Sequence, residues 1–155
     1  MNLDVANQLV GYMVNAPALV TLGPALRTSP DGDRLNGFVW WDAAGQWRID
    51  LAAGRDPSAT VQTLLHEAAH VLLGHVRPSS TPLTANLDSI RRLATLSPSA
   101  AANLAAEIIK ASASCADEED AADQVATYLR QYLAAGGLDL VTLLYGEGDH
   151  ALRVS

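Results

Sequence analysis

Along residues 57–73, Val61, Leu64, Leu65, Ala68, Ala69, Leu72 and Leu73 recur at helical spacing and make most of a helix circumference apolar. Such a helix belongs in the middle of a fold rather than on its surface. Yet the same stretch carries His66-Glu67-Ala68-Ala69-His70, and burying imidazoles and a carboxylate is unfavourable unless they find partners. Residues four apart on a helix share a face, so His66 and His70 can offer two ring nitrogens to one zinc ion, with Glu67 beside them as a base for water. The pattern predicts a central helix built around a zinc site, and the chemistry it points to is peptide hydrolysis. Asp56-Pro57 or Ser58 opens this helix, and Gly74 followed by Pro78 and Pro82 ends it.

Zinc hydrolases commonly use three protein ligands and leave one position open, so two histidines are incomplete. His75 lies nine positions after His66 rather than the ten of the extended H-E-x-x-H-x-x-G-x-x-H pattern, and a continued helix would turn it about 180° away. It is expected to close the helix C-terminus instead. The acidic run Asp117-Glu118-Glu119-Asp120-Ala121-Ala122-Asp123 opens a second predicted helix with Ala122, Val125, Ala126 and Leu129 as its apolar stripe. Docked against the motif helix, that helix would bring Glu119 in as third ligand. Asp123, four residues on, could then accept a hydrogen bond from the other ring nitrogen of a ligand histidine. Glu118 and Asp123 are the alternatives for the third position, and the plain alternative for the whole run is a solvated first turn favoured by the helix dipole.

The remaining signals describe an α+β chain: mostly helical, one domain over residues 1–155, with a small β-hairpin or antiparallel sheet near the motif helix. Residues 3–14 have helical periodicity with Asn2 as cap. Residues 17–32 read as irregular pieces and turns because of Gly23-Pro24 and Ser29-Pro30-Asp31-Gly32. A hairpin follows: Gly37-Phe38-Val39-Trp40-Trp41, a turn at Asp42-Ala43-Ala44-Gly45, then Gln46-Trp47-Arg48-Ile49-Asp50-Leu51, with Trp47, Ile49 and Leu51 facing the core. Trp40 and Trp41 are adjacent on a strand and cannot both face inward, which leaves an aromatic recognition surface or one half-covered ring. Residues 86–113 are helical with a break at Ser97-Pro98, a further helix runs from about Asp117 to Ala134, and residues 138–145 form a short helix or packed tail. From about residue 146 the chain reads as frayed.

Composition excludes several classes of function. A formal charge of −7, with Arg91-Arg92 the nearest thing to a basic cluster, argues against direct binding to a nucleic-acid backbone. Apolar runs are too short to span a membrane and no signal peptide is evident, so a cytoplasmic location is expected. The lone Cys115 forms no internal disulfide and is expected as a small buried thiol in an alanine-rich helix.

The segment from Thr63 to His75, Thr-Leu-Leu-His-Glu-Ala-Ala-His-Val-Leu-Leu-Gly-His, resembles the T-L-A-H-E-L-G-H-L-L-L-G-H signature of the ImmA/IrrE metallopeptidases. The downstream Glu119-Asp120-Ala121-Ala122-Asp123-Gln124-Val125-Ala126 is similar to that family's E-x-x-A-x-x-F-A helix. An upstream strand pair is also family-like, so the resemblance spans roughly residues 35–130. It departs at Ala69, where the family has glycine, at Val125, where it has phenylalanine, and in the long alanine-rich stretch 79–113. The resemblance implies His66, His70 and Glu119 as zinc ligands, Glu67 as catalytic base, and a regulatory endopeptidase acting on a protein or peptide, such as a repressor-like DNA-binding protein. The other reading is a non-catalytic regulatory or interaction domain that zinc merely stabilises. Tyr128, Tyr145 and His150 are the side chains considered as donors to a developing oxyanion.

Overall fold

The computed structural model describes residues 1–24, 36–78, 82–146 and 152. Its elements run α1 (Leu3–Val14), β1 (Ala18–Gly23), β2 (Gly37–Trp41), β3 (Trp47–Ala52), α2 (Pro57–Leu72), α3 (Leu83–Leu93), α4 (Pro98–Ser114), α5 (Glu118–Ala135) and α6 (Leu140–Tyr145). The fold is α+β: a mostly helical bundle with a small three-stranded sheet packed by the motif helix.

Local chemistry sets most of the boundaries. The side chains of Asn2, Asp56, Ser97, Asp117 and Asp139 each accept a backbone N–H in the first turn of the helix that follows. Pro57 and Pro98 occupy first-turn positions where no amide hydrogen is needed. In the hairpin turn, Asp42 Oδ1 accepts from Ala44 N at 2.9 Å and Gln46 N at 3.2 Å, and Gly45 takes φ +82°.

The hairpin is present, but the sheet is mixed, in the order β1-β3-β2, because Ala18–Gly23 is a strand paired parallel to β3. The irregular reading of residues 17–24 is therefore corrected. β1 is half-buried along its length apart from Val20, so it lacks the alternation that marks a strand with one solvated face. Residues 25–32 of the stretch read as irregular lie outside the described residues. Across the sheet, Val20, Ile49 and Val39 stand in one buried row, and in the next the half-buried Leu22 and Gly37 flank buried Leu51. On the other face of β3, Asp50 accepts from the Thr21 hydroxyl, and Arg48 lies 5.6 Å from the Trp40 ring centre. Trp40 and Trp41 are both half-buried: Trp41 meets Trp47 edge-on at 5.1 Å, and Trp40 lies against Phe38 at 5.6 Å.

α2 touches α5, β2, β3, α1 and α6, and its Val61, Leu64, Leu65, Ala68 and Ala69 are fully buried. Each such leucine contributes about 1.5–3 kcal/mol by leaving water, so the helix is held by its apolar face and its polar side chains are free to be placed by it. Cys115 is half-buried at the C-cap of α4, not inside the helix, because the chain turns extended there. Its thiol donates to Gln124 Oε1 at 3.6 Å. Among the described residues no helix is long and apolar enough to cross a membrane. The tail from residue 146 lies outside the described residues except for Gly146 and Leu152.

Candidate metal centre

α2 and α5 pack antiparallel in a register that steps by roughly one turn. Arg130 donates to Ser58, Gln62 to Thr127, His66 pairs with Asp123, and His70 with Glu119. Both stripes follow from i,i+4 and i,i+3 spacing, which puts one residue per turn of each helix on the shared seam. Asp117 starts α5 by accepting from Asp120 N at 2.8 Å, and this fixes Glu118, Glu119 and Asp120 in the first turn at the end of the seam nearest His70.

Three side chains converge there. His66 Nε2 lies 2.8 Å from Glu119 Oε2 and 3.1 Å from His70 Nε2, and His70 Nε2 lies 3.2 Å from Glu119 Oε1. Ligands about 2.0–2.1 Å from a tetrahedral zinc stand about 3.3 Å apart, so this triangle needs only slight expansion to hold one. Two imidazoles and a carboxylate form a cluster able to coordinate a divalent cation, and among the described residues it is the group of three or more such side chains with this spacing. The Glu119 side chain is 70% exposed, so the cluster faces solvent on that side.

The surroundings favour the protonation states that such a site needs. His66 Nδ1 is 2.6 Å from Asp123 Oδ1, so a proton on Nδ1 leaves the Nε2 lone pair facing the cluster. Burial holds His70 below its ordinary pKa, against the pull of the Glu119 carboxylate, which favours its neutral, ligating form. Burial likewise pushes Glu67 up to about 7; the neighbouring His66 opposes this and the Glu119 charge adds to it. Glu118 is not part of the triangle, and its Oε2 lies 4.0 Å from His75 Nδ1.

Two cavities meet at Glu67. One, of 270 Å³, is polar, with Asn36, Gln62, Thr63 and Asp123 in its walls. The other, of 300 Å³, has Phe38, Val39 and Val76 in its walls. Gly37, Glu67 and Glu119 line both, so together they form one cleft across the cluster with a polar and an apolar end. Gly37 is required for that arrangement: a Cβ there would stand 2.7 Å from Thr63 Cγ2 and 3.1 Å from Glu67 Cγ. In the sequence Gly37 marks only the start of a strand, and the need for glycine appears once β2 lies on α2.

His75 closes the helix C-terminus as expected, its N–H donating to His70 O at 2.9 Å, but its side chain comes closer to the cluster than a continued helix would put it. α2 ends at Leu72, Gly74 takes φ +76°, and the chain folds back so that His75 Nδ1 lies 2.9 Å from His70 Nδ1. Helical phase does not govern His75, because the helix does not continue to residue 75. Of the donors considered, Tyr128 hydrogen-bonds Glu107, whose charge raises the phenol's pKa, Tyr145 packs on the core from α6, and His150 lies outside the described residues.

No family model, curated protein or solved structure matches the chain.

Proposed function

We propose that the protein is a zinc-dependent endopeptidase of the ImmA/IrrE kind, in which His66, His70 and Glu119 hold the ion and Glu67 is the catalytic base. The observation that carries this reading is the convergence of His66 Nε2, His70 Nε2 and a Glu119 carboxylate oxygen within one cleft that Glu67 also lines. A zinc ion bound there supplies a Lewis acid that acidifies water and polarises a carbonyl. The residues do the rest. Glu67, whose proton affinity is raised by burial, takes the proton of the attacking water and returns it to the leaving amine. Asp123 keeps His66 presenting its Nε2, and burial favours the neutral form of His70.

A purely structural zinc would call for four protein ligands. The described residues bring three to this cluster, which favours the open, catalytic arrangement over the stabilised regulatory domain. The acidic, exposed first turn of α5 beside the cleft suits a basic protein partner, such as a repressor-like DNA-binding protein. Metal analysis of the purified chain should return one zinc per molecule. Glu67→Gln should retain that zinc and abolish cleavage in a screen of candidate protein substrates; undiminished cleavage by the variant refutes the mechanism.

A further inference from the structure

His75 lies behind His70, on the side of the ring away from the triangle. The two Nδ1 atoms are 2.9 Å apart, the ring centres 5.1 Å apart and the planes inclined at 58°. A hydrogen bond between two ring nitrogens requires that one carry the proton and the other present a lone pair. If His70 is to bind a cation through Nε2, its own proton sits on Nδ1, and the acceptor must be His75 Nδ1. The carboxylate paired with that nitrogen, Glu118 Oε2, is 4.0 Å away and beyond hydrogen-bond distance, so it does not hold a proton on His75 Nδ1 and leaves that lone pair for His70. The backbone adds a second tie, with His75 N donating to His70 O at 2.9 Å. His66 has its counterpart in Asp123, 2.6 Å from its Nδ1.

We propose that His75 is a positioning residue: as its neutral, Nε2-protonated tautomer it accepts from His70 Nδ1–H and so fixes the ring that presents Nε2 to the metal. The inference rests on the metal reading of the cluster but on no assumption about cleavage. It also assigns Gly74 its purpose, since the left-handed turn there lets the chain reverse onto the back of the ligand.

The test compares zinc affinity, by competition with a chromogenic chelator, for the wild-type chain, His75→Asn and His75→Leu. Asparagine can place an amide oxygen where Nδ1 stands, whereas leucine offers no acceptor. His75→Leu should weaken zinc binding about 10–100-fold, as loss of such outer partners does. His75→Asn should stay close to wild type. Equal affinity for His75→Leu and wild type overturns the role of His75 alone, and equal weakening of both variants overturns the acceptor role. A wild-type chain that binds no zinc overturns the metal reading itself, and this inference with it. Nitrogen-15 NMR of the zinc-loaded wild type reads the same point without a variant: His70 should coordinate through Nε2 with a proton on Nδ1, and coordination through Nδ1 refutes the proposal.

Discussion

Replacing Gly37 by alanine tests whether β2 and α2 are in the contact that shapes the cleft. The added Cβ would stand 2.7 Å from Thr63 Cγ2, 3.1 Å from Glu67 Cγ and 3.2 Å from Glu67 Oε1. Carbon atoms in contact prefer about 3.5–4.0 Å, so the first of these is deep in the repulsive wall. Overpacking of this kind costs about 1–3 kcal/mol. Against it stands a gain of about 0.4–1 kcal/mol, because Gly37 is not in a left-handed conformation and alanine restricts the unfolded chain. With the 2.7 Å contact placing the cost in the upper part of its range, about 2–3 kcal/mol, the balance is a net loss of about 1–2.6 kcal/mol. Thr63→Ser removes the offending methyl but keeps the hydroxyl that accepts from Arg55 Nη1 at 2.7 Å and donates to Ala59 O at 3.1 Å. In a double-mutant cycle followed by urea unfolding, the serine should restore about 1 kcal/mol in the Gly37→Ala background. Restoration is expected to be incomplete, since the Glu67 contacts persist. A Gly37→Ala chain as stable as wild type, or one indifferent to Thr63→Ser, refutes the packing argument.

Three further outcomes follow from named contacts. In the metal-free protein, Glu67 has a folded pKa raised from 4.5 to about 7, so its protonated form stabilises the fold below 4.5 and that contribution is lost as pH rises through 7. At about 1.4 kcal/mol per pH unit this amounts to roughly 3 kcal/mol; Glu67→Gln should flatten the fall in urea stability between pH 5 and pH 8, and an unchanged slope counts against the burial of this carboxyl. Gly136→Ala places a Cβ 2.3 Å from the Ala94 carbonyl oxygen, a backbone atom that cannot rotate away. It should therefore reach or exceed the upper end of the usual 1–3 kcal/mol overpacking range in thermal unfolding, and a loss below 1 kcal/mol refutes that contact. Glu119→Ala should weaken zinc binding far more than Glu118→Ala in the chelator assay, because Glu118 lies beside His75 instead of in the triangle; equal losses would mean that the α5 register is wrong.

What was legible in the sequence is what local periodicity and capping can carry. Asn2, Asp56-Pro57, Ser97-Pro98 and Asp117 announce their helices because a cap acts within one turn, and the aromatic run before Asp42 announces its hairpin because the turn is adjacent to both strands. β1 was not legible, because its partner is β3, twenty-nine positions away from Ala18 at Trp47, and both its faces are partly covered. The same distinction divides the site. Ser58, Gln62, His66 and His70 form one four-residue stripe, and Glu119, Asp123, Thr127 and Arg130 form another close to it in spacing; each is readable along its own helix. Only their antiparallel crossing, fixed by the buried apolar faces of α2 and α5, was absent from the sequence. The approach of His75 to His70 and the close packing at Gly37 were hidden for a related reason. Each acts where a regular element stops, His75 after the left-handed Gly74 and Gly37 where β2 begins against Thr63 and Glu67. Periodicity is silent at such points, so residues that shape a cleft from element ends need the packed structure to be seen, while those that line it from helix interiors can be found beforehand.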